Sequence, residues 1–292
     1  MFKAIISTIF LLANITCNVF CFGQNVAKKV SKSKPFILGQ TEEIFAQELN
    51  ENRVLNVYLP EGYNANDTVH YPVIYLLDGS ADEDFIHVAG LVQFNNFSWI
   101  NRVPKSIVVG IANIDRKRDF TFPSSVDAER VKYPTTGHAD NFIAFIEKDL
   151  QPFIAQHYKV NKHKTLIGQS LGGLLASQIL FEKPYLFDQY IIISPSLWWS
   201  NGALLARQPK TAESNFSQKI KVYVGVGKEG LAPGTANRVM EVDANLLVEK
   251  LKEANNKDLK VYFDYLPQED HATIGHQAIF NAFKMLYPAE EK

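Results

Sequence analysis

Cysteine is nearly absent. Of 292 residues only Cys17 and Cys21 carry a thiol, and none follows. Everything beyond residue 21 must therefore hold together without a disulfide, and cannot use a cysteine-ligated metal or a cysteine nucleophile. Charge of one sign is also missing. Thirty Lys and Arg face 31 Asp and Glu, for a formal net charge of −1. No long basic run interleaved with aromatics exists, so nucleic acid is not an expected partner. The seven histidines show no metal-ligand spacing such as H-E-x-x-H, and no metal or organic cofactor is expected. Internal repeats and low-complexity tracts are absent too.

One stretch stands apart. Lys3 precedes an apolar run from Ile5 to Phe20, and Cys21 and Gly23 are small residues at the −3 and −1 positions of a cut before Gln24. This is the layout of a secretory signal peptide over residues 1–23. Asn14 and Asn18 interrupt a run already short for a bilayer. They also stand three residues before Cys17 and Cys21, which disfavours a lipid anchor there. The expectation is an exported protein, periplasmic or secreted, with no integral membrane segment after cleavage. Residues 24–34 are polar and basic and read as a flexible lead-in. Residues 35–292 read as one α/β domain.

Within that domain apolar runs recur. Arg53 to Pro60 alternates like a strand. Tyr71–Asp78, Lys105–Ala112, Lys164–Ile167, Tyr190–Ser194, Lys219–Val226 and Leu259–Leu266 are more continuously apolar. Such runs suit strands buried on both faces of a parallel sheet. Helical spacing appears over Asp140–Tyr158, Gly173–Phe181, Val242–Ala254 and Ala278–Leu286. Strands alternating with helices predict a mostly parallel, doubly wound sheet with helices on both faces. Asn113–Gly137 has no clear period and reads as a long excursion near the sheet's carboxyl edge, where ligands sit in this architecture.

Residues 165–174, T-L-I-G-Q-S-L-G-G-L, place Ser170 at the centre of G-x-S-x-G, between a short strand and a helix. A serine on so sharp a turn is raised above the sheet, and glycine at 168 and 172 leaves room for the corner. Ser170 is therefore a candidate nucleophile, and a glycine turn chosen for packing alone is the bland alternative. His271 follows the last strand in a polar loop, where the base of a Ser-acid-His chain order belongs. His276, five residues on, is its rival. Glu229 follows the penultimate strand and is the candidate acid. Asp264, inside a strand, and Asp270, beside the histidine, are weaker ones, and a Ser-His pair with no strong acid stays open. Two backbone N–H groups should hold an oxyanion. Leu171 would supply one, and Gly79 or Ser80, after an early strand, the other.

Several motifs combine: Y-P-V-I-Y-L-L-D-G (71–79), V-V-G-I-A-N (108–113), R-K-R-D-F-T-F-P (116–123), I-G-Q-S-L-G-G (167–173), S-P-S-L-W-W (194–199), and the Glu229 and His271 loops. Together they resemble the α/β-hydrolase esterase family that holds the enterochelin and bacillibactin esterases, related to esterase D and the feruloyl esterases. The resemblance covers roughly Arg53 to Tyr287. It implies an α/β-hydrolase fold, a small-molecule ester substrate such as a siderophore trilactone, Ser170 as nucleophile and His271 as base. It also implies Arg118 and Asp119 near the acyl pocket. Trp198 and Trp199 would wall the cleft, fill the core, or do both. A feruloyl- or acetyl-type carbohydrate esterase, an acyltransferase and a catalytically silent binding protein are the alternatives.

Overall fold

The computed structural model describes residues 33–234 and 237–288. The chain divides into two compact units, Met1–Phe36 and Ile37–Lys292. Of the first, residues 33–36 are described and carry no helix or strand. The leader expected over residues 1–23 lies outside the described residues, as does the lead-in as far as residue 32.

The second unit is built on one eight-stranded sheet in the order β1-β2-β4-β3-β5-β6-β7-β8. The strands are β1 (Gln40–Ala46), β2 (Glu51–Tyr58), β3 (Tyr71–Leu76), β4 (Ile107–Ile111), β5 (Val160–Gln169), β6 (Gln189–Ile193), β7 (Ile220–Gly227) and β8 (Leu259–Leu266). β1 pairs antiparallel with β2, and β2 antiparallel with β4. Every pairing from β4 to β8 is parallel.

Successive residues of a strand point to opposite faces, and both faces here are covered. Val73 and Tyr75 of β3 enter one apolar layer, Ile74 and Leu76 the other. The first layer is closed by α4 (Ala139–Phe145), α5 (Gln151–His157), α6 (Leu171–Glu182) and α8 (Met240–Glu253), the second by α1 (Phe85–Asn95) and α9 (Ile274–Leu286). A π-helical turn, Ile146–Leu150, joins α4 to α5. The excursion expected over Asn113–Gly137 contains two short helices, α2 (Arg116–Phe120) and α3 (Asp127–Lys132). A four-residue turn, α7 (Trp199–Gly202), follows β6. Among the described residues no helix is long and apolar enough to cross a membrane.

Glycine permits one close approach that fixes the upper rim. A Cβ on Gly79 would lie 2.3 Å from Gly110 Cα, and one on Gly110 would lie 2.5 Å from Gly79 O. The loop after β3 therefore packs directly on β4 with no side chain between them.

Candidate active site

β5 ends at Gln169, and α6 begins at Leu171. Ser170 makes the whole turn, with φ +59° and ψ −119°. This is a strained conformation for a residue with a side chain. Two backbone bonds over-determine it: Ser170 N–H donates to Ile193 O at 3.0 Å, and Ser196 N–H donates to Ser170 O at 3.0 Å. The corner needs its glycine, since a Cβ on Gly168 would lie 2.4 Å from Gly172 O. Leu171 is the first residue of α6, so its N–H has no acceptor within the helix.

Glu229 stands just past β7 and His271 just past β8. His271 Nδ1 lies 2.6 Å from Glu229 Oε2. A carboxylate there makes Nδ1 the protonated nitrogen and leaves the Nε2 lone pair free to take a proton. The Glu229 side chain is 3% exposed and the His271 ring 45% exposed. Glu229 Oε1 accepts the Ser194 hydroxyl, and the Gly227 N–H at 3.3 Å. Burial pushes the Glu229 carboxyl up, but the bonds from His271, Ser194 and Gly227 outweigh it and hold the pKa below the ordinary value. The carboxylate is therefore charged at neutral pH.

Ser170, Leu171, Glu229 and His271 line one cleft of about 290 Å³, with Ser196 and Trp198 among the other lining residues. Ser170 Oγ lies 3.3 Å from Ser196 Oγ. The serine hydroxyl thus rests on Ser196, and no hydrogen bond joins it to His271 among the described residues. Base–nucleophile bonds of this kind often close only on the substrate.

The rival groups are occupied elsewhere. His276 faces His87, with Nδ1 to Nε2 at 3.0 Å, across α9 and α1. Asp264 accepts Tyr223 Oη and Asn281 Nδ2, each at 2.8 Å. Asp270 caps its own loop through the N–H groups of Ala272 and Thr273.

Two expectations need correction, and Ser80 keeps its place as a candidate donor. Gly79 N–H donates to Ile111 O at 2.9 Å, so it cannot hold an oxyanion; its glycine serves the contact with Gly110. Ser80 does not line the cleft, but its N–H meets no acceptor among the described residues, while its carbonyl accepts the N–H groups of Glu83 and Phe85 where α1 opens. Arg118 and Asp119 are not on the cleft wall either. Arg118 grips both oxygens of Glu51, at 3.0 and 2.6 Å, and Asp119 at 2.7 Å. Asp119 in turn holds the fully buried Arg53 at 2.5 Å. That pair is part of the frame.

The cleft uses the residue two places earlier. Arg116 lines it, with Nε and Nη2 on the two Asp78 oxygens at 2.6 and 2.9 Å and Nη2 also on Gln169 O at 3.2 Å. Residues i and i+2 lie about 200° apart around a helix. On α2, therefore, Arg116 meets the cleft while Arg118 meets the buried acids. Lys117 also lines the cleft, its Nζ 5.3 Å from the Tyr133 ring centroid. Sequence reasoning passed over Arg116, Lys117, Ser194, Ser196 and Tyr133, although R-K-R-D and S-P-S contain four of them. Trp198 and Trp199 do both things expected of them. They line the cleft, they are 8% and 2% exposed, and Trp199 Nε1 donates to Phe122 O at 2.8 Å.

Residues 46–277 match the family described as "Putative esterase". The chain belongs to that family. It is 30% identical over 257 residues to the ferri-bacillibactin esterase BesA of Bacillus subtilis, covering 83% of this chain and 88% of that protein. An IroE-like serine hydrolase from Shewanella oneidensis superposes with a TM-score of 0.76 at 30% identity, over 85% of this chain and 80% of that one. The BES protein from Bacillus cereus gives 0.75 at 29% identity, over 89% and 99%. The sheet and its helices are the α/β-hydrolase fold, and this family member is a carboxylic ester hydrolase.

Proposed function

We propose that the enzyme is a serine esterase working through a Ser170–His271–Glu229 triad and an acyl-enzyme. The observation that carries this reading is the buried, charged Glu229 held on His271 Nδ1, beside a strained Ser170 on the wall of the same cleft. Ser170 Oγ attacks the ester carbonyl carbon as its proton passes to His271 Nε2. The C=O electrons move onto oxygen, which the Leu171 N–H stabilises; one such donor is worth about 3–4 kcal/mol. With Gly79 excluded, a second donor from the loop after β3 falls to Ser80. The intermediate collapses, the C–O bond to the leaving alcohol breaks, and the imidazolium gives that oxygen its proton. Water, deprotonated by the same imidazole, then cleaves the acyl-serine.

The proposed substrate is a siderophore-type ester with an anionic aromatic acyl part. Tyr133 and Trp198 offer aromatic faces, and Arg116 and Lys117 offer positive charge on the same wall. BesA is named a ferri-bacillibactin esterase. The proposal also includes export to the periplasm or the medium, on the composition of residues 1–23.

The test is hydrolysis of p-nitrophenyl acetate by wild type, Ser170→Ala and His271→Ala. Turnover by wild type with near-complete loss in both variants supports the mechanism. An inactive wild type that a fluorophosphonate probe also fails to label at Ser170 overturns it. A catecholate trilactone and a feruloylated sugar, compared by kcat/KM, then test the substrate class.

A further inference from the structure

Ser194 and Ser196 flank Pro195 at the carboxyl end of β6. In the sheet β6 lies between β5, which leads to the nucleophile, and β7, which leads to the acid. The turn after β6 touches both. Ser196 meets Ser170 through its N–H and its hydroxyl. Ser194 N–H donates to Gly225 O at 2.8 Å, which ties the turn to β7.

Ser194 is fully buried and has φ +42°, the left-handed region that a residue with a Cβ enters at a cost. Its hydroxyl donates to Glu229 Oε1. Strain at a buried position points to what the side chain does there. The Glu229 carboxylate has two side-chain donors: His271 on one oxygen and Ser194 on the other. Other charged groups surround the pair without bonding the carboxylate. Glu241 accepts the N–H groups of Glu229 and Gly230. Asp270 is bonded within its own loop, Lys228 N–H donates to Glu269 O at 2.8 Å, and Arg116 and Lys117 stand on the cleft wall.

We propose that Ser194 is a positioning residue of the triad. Its hydroxyl turns Glu229 so that Oε2 faces His271 Nδ1, and it draws off part of the carboxylate's charge. This inference rests on the serine-esterase reading above. Removing the hydroxyl leaves Oε1 on the Gly227 N–H alone, at 3.3 Å. The carboxylate stays buried with more charge on it, which favours the protonated imidazole. The free base is then scarcer at a given pH.

The experiment measures kcat/KM for p-nitrophenyl acetate from about pH 5 to 9 in wild type, Ser194→Ala and Ser194→Gly. Glycine accepts the left-handed backbone without strain, so a folded variant lacking the hydroxyl is secured. The proposal expects kcat to fall about tenfold with KM unchanged, and the acid limb to move to higher pH in both variants. A limb that stays in place or moves to lower pH in folded, active Ser194→Gly overturns it. Wild type run alongside separates the two failures. An inactive wild type sinks the esterase mechanism, whereas an active wild type with an unmoved limb in the variants sinks only the role of Ser194.

Discussion

Replacing Glu229 by Gln tests the relay at its least exposed point. The side chain keeps its shape and loses its charge. Glu229 is 3% exposed and holds three donors: His271 Nδ1 at 2.6 Å, the Ser194 hydroxyl, and Gly227 N–H at 3.3 Å. A glutamine amide has one acceptor and one donor end. With its NH2 toward Gly227 it sets donor against donor. With its NH2 toward His271 it donates to Nδ1, which moves the imidazole proton to Nε2, the nitrogen that must act as base. A hydrogen bond to a charged group contributes about 1.5–3 kcal/mol, or roughly 10- to 150-fold in rate. A wrong tautomer costs more, about 10⁴-fold in the serine-protease template. The expectation for Glu229→Gln is a fall in kcat/KM of at least about 100-fold on p-nitrophenyl acetate, with a near-native thermal midpoint. A folded variant within about threefold of wild type would refute the triad and leave a Ser-His pair acting alone.

Other outcomes follow from the same geometry. Arg116→Gln should raise KM about tenfold for an anionic aryl ester and little for a neutral one, because the cleft loses a positive charge; it should also lower the thermal midpoint, since Asp78 loses its bidentate partner. Gly168→Ala puts a Cβ 2.4 Å from Gly172 O, and should cost about 1–3 kcal/mol in urea unfolding together with activity. Stability should fall in acid. Lys183 holds the Glu147 carboxyl below its ordinary value of 4.5; Glu51 is lowered too, where Arg118 and Arg53 outweigh the upward push of burial, as the donors to Glu229 do at that site. Groups lowered in the folded state contribute stability that is fully present above about pH 4.5 and lost as pH falls through their folded values. The urea midpoint should therefore hold near neutrality and drop below that point.

The candidate triad could be picked out because each proposed member sits just past a strong apolar run, and position relative to a strand end is written in local sequence. The central strands were legible for the same reason. β1 was not: in Q-T-E-E-I-F-A only Ile44 and Ala46 are buried, as suits an edge strand. α1 was missed because F-I-H-V-A-G-L-V-Q-F-N is apolar on too many sides to show a stripe. Gly79 misled because its constraint comes from Gly110, 31 positions away in the chain. Choosing between Arg116 and Arg118 required knowing which face of a five-residue helix meets the buried Glu51, Arg53 and Asp119.

The proposed chemistry and the proposed recognition in this cleft have different foundations. Ser170, Ser194, Glu229 and His271 follow β5, β6, β7 and β8, four neighbouring strands whose separation is set by hydrogen-bond spacing of about 4.8 Å. Their lateral order is inherited from the polypeptide ladder itself. Arg116, Lys117 and Tyr133 come from the excursion between β4 and α4. The same segment also carries Asp119, which pairs the fully buried Arg53, so its cleft-facing positions can change only where the frame positions are kept. Substitutions at Lys117 and Tyr133, on the cleft wall and outside that buried network, are the natural route for redirecting this scaffold to a different ester.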